Sequence, residues 1–315
     1  MKLYKHQENV LELSKSMPEL ALFWEMGTGK TLAAIEILKL KQKKYKRTLR
    51  TIIFSPLVTL KNWKNEILKF SKIKEQDIWC LDESGKKRRD KLIQATCEDG
   101  VLIINYEALR SIDTIELLIN YNADILICDE SHRLKNHQSK QSKTIYKLSR
   151  NIKYKLLLTG TPILNSTMDI FQQYKILDGG DIFGTNYFLF RSKYFFDKNA
   201  GMPRNVHFPK WTPQPEKNKE LQFLIKRKSD RILKKDCLDL PPLIKHKHFV
   251  TMGGEQARCY KSMARDFITF IKEANTGKLQ ASIAQLAVTK LLRLQQIVSG
   301  FVKTDNGEEH LFNDN

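Results

Sequence analysis

Leu20-Ala21-Leu22-Phe23-Trp24 is an unbroken apolar run, and Glu25-Met26-Gly27-Thr28-Gly29-Lys30-Thr31 follows it directly. From Leu32 the apolar residues recur at helical spacing through Lys41. A strand, a glycine-bearing turn and a helix start are thereby predicted in immediate succession. Glycines at 27 and 29, with Thr28 between them, let backbone N–H groups close around phosphate oxygens. The helix N-terminus adds a favourable dipole, Lys30 is placed to reach terminal phosphates, and the Thr31 hydroxyl is placed to ligate Mg²⁺. The strict phosphate-loop pattern asks for glycine five residues before Gly29. Trp24 stands there, so the match is incomplete at its first position.

Outward from this loop the pattern repeats. Short apolar runs at Thr51–Ser55, Val101–Asn105, Ile125–Asp129 and Lys155–Thr159 alternate with amphipathic stretches. Such alternation predicts an α/β fold with a parallel sheet covered by helices on both faces. Ligands of these sheets bind at the carboxyl ends of the strands, where the motifs lie. Leu126-Ile127-Cys128-Asp129-Glu130 ends one run with two carboxylates. Asp129 suits a magnesium ion, and Glu130 suits polarising the water that attacks a terminal phosphate. With Lys30 they make a catalytic set, expected to meet across adjacent strand ends around one magnesium-bound triphosphate.

Composition agrees with a polyanion partner. Fifty-four Lys and Arg against thirty-five Asp and Glu give a formal charge of +19, and nucleic acid is the commonest polyanion. No apolar run is long enough to span a membrane, and Met1 to Val10 carries no export signal, which points to the cytoplasm. The five cysteines are scattered and no Cys/His group has zinc spacing, so reduced thiols are expected and zinc is not implied. His246 and His248 have no third ligand nearby. Trp63 and Trp211 could stack on bases, but packing is the commoner use of Trp.

The string Asp129 to Asn136, Asp-Glu-Ser-His-Arg-Leu-Lys-Asn, resembles the DEAH-R-L-K-N box of the SWI/SNF-type ATPases of helicase superfamily two. Other segments follow in that family's order. Leu3–Gln7 is similar to its Q motif, Phe23–Thr31 to motif I, and Ile52–Ile67 to motif Ia. Val101–Leu109 is similar to the next DNA-side motif, Leu158–Pro162 with Asn165 to motif III, and Arg231 to Pro242 to the basic segment before the second lobe. The resemblance implies a RecA-like ATP-binding lobe over 1–165, a mostly helical, basic extension over 166–245, and a linker with the truncated start of a second lobe over 246–315. It implies ATP and Mg²⁺ as ligands, with Gln7 reading adenine and Gly27, Thr28, Gly29, Lys30 and Thr31 holding phosphates. It further implies Lys61, Tyr106 and Arg133 near double-stranded DNA, with Thr161 coupling the nucleotide site to it.

An arginine finger and a glycine-rich motif V belong to the family's second RecA-like lobe, and neither occurs after Gly300. The chain is therefore expected to hydrolyse ATP weakly alone, with the other lobe in the same or another chain, and the polar ending favours a fragment. Small size points to a bacterial or viral source. Rival readings are an ATP-gated DNA-binding module with little turnover, a motor subunit of a restriction-like system, and a DEAD-box RNA helicase, against which Ser131 to Asn136 speak. Two basic stretches, Lys39–Arg50 and Glu216–Lys235, are further candidates for DNA contact. The first is more simply a solvated helix end; the second reads as a helix.

Overall fold

The computed structural model describes residues 3–163, 166–203, 207–237, 244, 246–274, 280–303 and 309–312, with the side chains of 266–274 and 280–286 left aside. The chain divides into two compact units, Met1–Leu240 and Pro241–Asn315.

The first unit is built on a seven-stranded sheet. Its strands are β1 (Glu19–Trp24), β2 (Thr51–Ser55), β3 (Ile78–Leu81), β4 (Val101–Asn105), β5 (Ile125–Asp129), β6 (Tyr154–Leu158) and, later in the chain, β9 (Ser229–Ile232). Their order is β3-β4-β2-β5-β6-β1-β9 and every pairing is parallel. Four of the runs named above coincide with β1, β2, β4 and β5 to within a residue, and the fifth is β6. Two strands escape that reading. β3 is only four residues long, Ile-Trp-Cys-Leu. β9 lies inside the basic stretch read as a helix, which is instead α9 (Pro215–Lys226), β9 and the short α10 (Lys234–Cys237).

Side chains alternate across the sheet. Leu20, Leu22, Trp24, Ile53, Ile103, Ile127 and Leu158 face α1 (Lys5–Ser16), α2 (Lys30–Tyr45) and α3 (Leu60–Phe70), which contribute Val10, Ile35, Leu38, Trp63 and Ile67. Ala21, Phe23, Phe54, Ile104, Leu126, Cys128 and Leu157 face the opposite layer. That layer comprises α4 (Gly85–Thr96), α5 (Ile112–Asn120), α6 (Lys140–Ser149), α7 (Ile170–Asp178), α8 (Tyr187–Tyr194) and α9. Burial on both faces is why these strands read as apolar runs rather than alternating ones. Between α8 and α9 an antiparallel pair, β7 (Phe195–Asp197) and β8 (Trp211–Pro213), makes a separate ribbon.

In the second unit, α11 (Gly254–Ala274) and α12 (Gln280–Val298) precede a ribbon of β10 (Phe301–Lys303) and β11 (Glu309–Leu311). Its antiparallel register pairs Phe301 with Leu311. The turn residues Asp305, Asn306 and Gly307 lie outside the described residues. His248–Thr251, which reads as a strand in sequence, pairs with no segment among the described residues.

Candidate functional site

The turn after β1 has the backbone a phosphate cradle requires. Gly27 and Gly29 both lie at φ +83°, and Gly29 caps α2 in the left-handed region. A Cβ at Gly29 would stand 2.4 Å from Gln7 Nε2, so glycine is needed there twice over, for its conformation and for the space. The Lys30 ammonium folds back to donate to Trp24 O at 2.8 Å and Glu25 O at 3.1 Å. Burial holds its pKa below the ordinary lysine value, with Glu130 and Asp129 pulling the other way and Lys234 adding to the depression. Lys30 and both carboxylates therefore share one electrostatic neighbourhood.

α1 braces the loop from behind. Gln7 Nε2 donates to Gly29 O at 3.2 Å while its Oε1 accepts from Tyr4 N at 3.0 Å. His6 Nε2 donates to Thr28 O at 2.9 Å and sets its ring edge against Trp24. Gln7 is buried, with both ends of its amide engaged by the protein's own backbone.

The acidic pair lies at the end of β5. Asp129 Oδ2 accepts from Ser55 Oγ and from Trp63 Nε1, each at 2.9 Å, and Oδ1 accepts from Glu130 N at 3.0 Å. Tyr106 OH donates to the Asp129 carbonyl at 2.6 Å. Glu130 sits in the left-handed region at φ 49°, ψ 50°, an uncommon place for a residue with a Cβ. Such strain persists only where the surroundings over-determine it. Here the side chain meets Thr159 Oγ1 at 3.3 Å and His132 Nδ1 at 3.2 Å, and His132 and Thr159 are themselves 3.0 Å apart. The Thr161 N–H donates to Thr159 Oγ1 at 3.2 Å, which ties the loop after β6 to the acidic pair.

One expectation is corrected. β1 and β5 are not adjacent, since β6 lies between them. The turns after β1 and β5 instead flank the end of β6, whose next residue, Thr159, donates its hydroxyl to Glu130.

The Asp129 carboxylate, fixed by three donors, and the Thr31 hydroxyl in the first turn of α2 are oxygen donors of the kind a hard divalent cation takes. At the glycine turn beside it, a Cβ at residue 29 would collide with Gln7 Nε2, so only glycine keeps the backbone of this turn bare. The residues present thus fit magnesium and a polyphosphate.

Of the residues assigned to the DNA side, Tyr106 and Arg133 lie together. Lys61 is 80% exposed and 3.4 Å from Asp82. Tyr106 is fully buried and supports Asp129 from beneath, so its side chain is not on a DNA-facing surface: a hydrophobic run carries it into the core. Arg133 pairs with Glu107 at 2.9 Å over the Tyr106 ring rather than with a motif I or III group. Thr161 is exposed, and Asn165 lies outside the described residues. Trp63 is buried, a packing residue that also donates to Asp129. Trp211 is half-buried, with the Arg191 guanidinium 4.0 Å from its ring. The Lys39–Arg50 cluster lies at the far end of α2 from the phosphate loop.

Several supporting groups carry roles that the sequence reading did not assign. Ser55, Trp63 and Thr159 hold the acidic pair. Ser131 donates to Gln173, whose amide reaches Pro162 O. From β9, Asp230 accepts from Trp24 Nε1 at 2.6 Å, and Lys234 N donates to Glu25 Oε2 at 2.6 Å. Only Ser55 and Thr159 carry a local signal, a hydroxyl residue at the very end of an apolar run.

The family model described as the SNF2-related domain matches residues 6–300. The DNA repair protein rhp54 of Schizosaccharomyces pombe is 32% identical over 75% of this chain. An ATP-dependent helicase of Mycoplasma genitalium is 26% identical over 87%. The chain spans 29% and 24% of those two relatives' own lengths. The Sulfolobus solfataricus SWI2/SNF2 ATPase core in complex with dsDNA superposes with a TM-score of 0.58 at 25% identity, covering 95% of this chain and 59% of that one. Among the described residues no helix is long and apolar enough to cross a membrane. Phosphate loop, acidic pair, strand order and family match coincide, and the chain belongs to the SNF2-related domain family.

Proposed function

We propose that this chain is the ATP-binding part of a DNA-stimulated ATPase acting on double-stranded DNA as a translocase. A second RecA-like lobe, in the same or another chain, completes the motor. One observation carries the reading: a turn with two glycines at φ +83° joins β1 to α2 and leads into Lys30, in a parallel sheet whose β5 ends on Asp129. The backbone of Gly27 to Thr31 cradles the phosphates of ATP, and Lys30 exchanges its two carbonyl partners for phosphate oxygens. Thr31 and Asp129 would hold Mg²⁺, which neutralises phosphate charge when bound. Glu130, oriented by Thr159 and His132, holds the attacking water and takes its proton. Gln7 keeps the loop closed from α1 by donating to Gly29 O.

Phosphoryl transfer also needs charge stabilisation from the far side, and an arginine supplied by a second lobe is worth about 10³ to 10⁵ in rate. The chain alone therefore turns over slowly. The net charge of +19 and the likeness to a SWI2/SNF2 ATPase core in complex with dsDNA favour duplex DNA as the stimulating polymer. Glu130→Gln is the test. It should bind ATP as the parent does while duplex-stimulated hydrolysis falls by about 10² or more. Equal hydrolysis in parent and variant would refute the assignment. Stimulation by duplex RNA in preference to DNA would refute the choice of polymer.

A further inference from the structure

The phosphate loop has a second lysine, delivered from two hundred residues downstream in the chain. β9 pairs with β1 on its outer side, in a register that sets Trp24 against Ile232. Two more bonds extend the pairing past the strand ends: Glu25 N donates to Ile232 O at 3.0 Å, and Lys234 N donates to Glu25 Oε2 at 2.6 Å. The Trp24 indole, bonded to Asp230, fixes the same junction from the side. These contacts fix the backbone at Lys234 beside the loop. It lies over Gly27, where a Cβ would be 3.6 Å from Lys234 Cε and 3.9 Å from Nζ.

Two ammonium groups thus converge on one short loop. Lys234 is near enough to Lys30 to make that lysine harder to protonate. Like charges held together cost free energy unless an anion lies between them, and the side chain of Lys234 is otherwise exposed. Lys30 in such a loop reaches the terminal phosphates, so a cation sharing its neighbourhood faces the same end of the nucleotide.

We propose that Lys234 is a second phosphate-contacting lysine, whose ammonium donates to a terminal phosphate oxygen of the bound nucleoside triphosphate. This rests on the nucleotide reading of the loop. It also means that the segment directly preceding residue 240 registers whether a triphosphate or a diphosphate is bound. Lys30 anchors the phosphates from α2 and Lys234 closes over them from the start of α10, just past β9, so the cradle is complete only when β9 is paired with β1.

The test uses the full chain and its Lys234→Gln and Lys234→Arg variants, with Lys30→Ala as reference, titrated with fluorescent ATP and ADP. Lys234→Gln should weaken ATP by about tenfold, the size of one charge-assisted hydrogen bond, and ADP distinctly less. Lys234→Arg should restore most of the ATP affinity, which a merely structural lysine would not predict. Thermal unfolding of nucleotide-free Lys234→Gln should match the parent, since its side chain is exposed. Unchanged ATP affinity in Lys234→Gln beside a loss in Lys30→Ala overturns this inference and leaves the nucleotide site standing. Equal losses of ATP and ADP, not restored by arginine, also overturn it. If the parent chain binds neither nucleotide, the reading of the whole site fails and this inference with it.

Discussion

Lys30 is the residue on which most depends, and its surroundings set a sign that can be measured. Its pKa is held down mainly by burial, so the folded chain is penalised wherever this amine is charged. That penalty is full below its folded-state pKa and vanishes above the pKa it has when unfolded. Lys30→Met removes it while keeping the length of the side chain. At neutral pH the nucleotide-free variant should unfold at a temperature no lower than the parent, yet show none of the rise that ATP gives the parent. A clear drop without nucleotide would mean that the amine's bonds to Trp24 O and Glu25 O stabilise the loop more than burial costs it. The Asp129 carboxylate offers a second measurement. Trp63→Phe keeps a ring in the core but deletes one of three donors. Outer donors of this kind commonly matter by about 10- to 100-fold in metal affinity. The Mg²⁺ concentration for half-maximal hydrolysis should rise accordingly, with ADP binding in the absence of metal unchanged.

At the scale of elements, β9 is the informative one. It closes the sheet beside the phosphate-loop strand, and it comes from a segment whose lysines and arginines disguise it. Ser229-Asp230-Arg231-Ile232 has one apolar residue and only one neighbouring strand, so it lacks the apolar run that marks a central strand. Asp230→Ala should cost about 1–3 kcal/mol in unfolding free energy, because the buried Trp24 N–H loses its acceptor. The same variant should loosen the loop, seen as faster amide exchange at Gly27 to Gly29. An unchanged exchange rate would show that β1 positions the loop without help from β9. The motif residues were legible because each follows an apolar run directly, and a strand end is where such a sheet presents ligands. Their supports were not. Trp63, Ser55 and Thr159 come from three different elements, and no spacing along the chain reports that they converge on Asp129 and Glu130.

For the molecule as a whole, the charge of +19 is the property with a measurable consequence. Binding to duplex DNA should weaken steeply with salt, each neutralised phosphate adding about 0.9 to the slope of log affinity against log salt. A slope near zero would remove DNA as the polymer that this surface meets. The sequence by itself determined the parallel α/β architecture, the phosphate loop, the acidic pair and the family, because apolar runs, glycines and short motifs are local and carry their chemistry with them. Only the tertiary structure decided that β6 separates the two halves of the site, that Tyr106 is a buried support rather than a surface group, and that β9 brings Asp230 and Lys234 to the loop. Strand order and long-range pairing depend on which surfaces bury one another, and residues two hundred positions apart leave no mark of that choice in either segment.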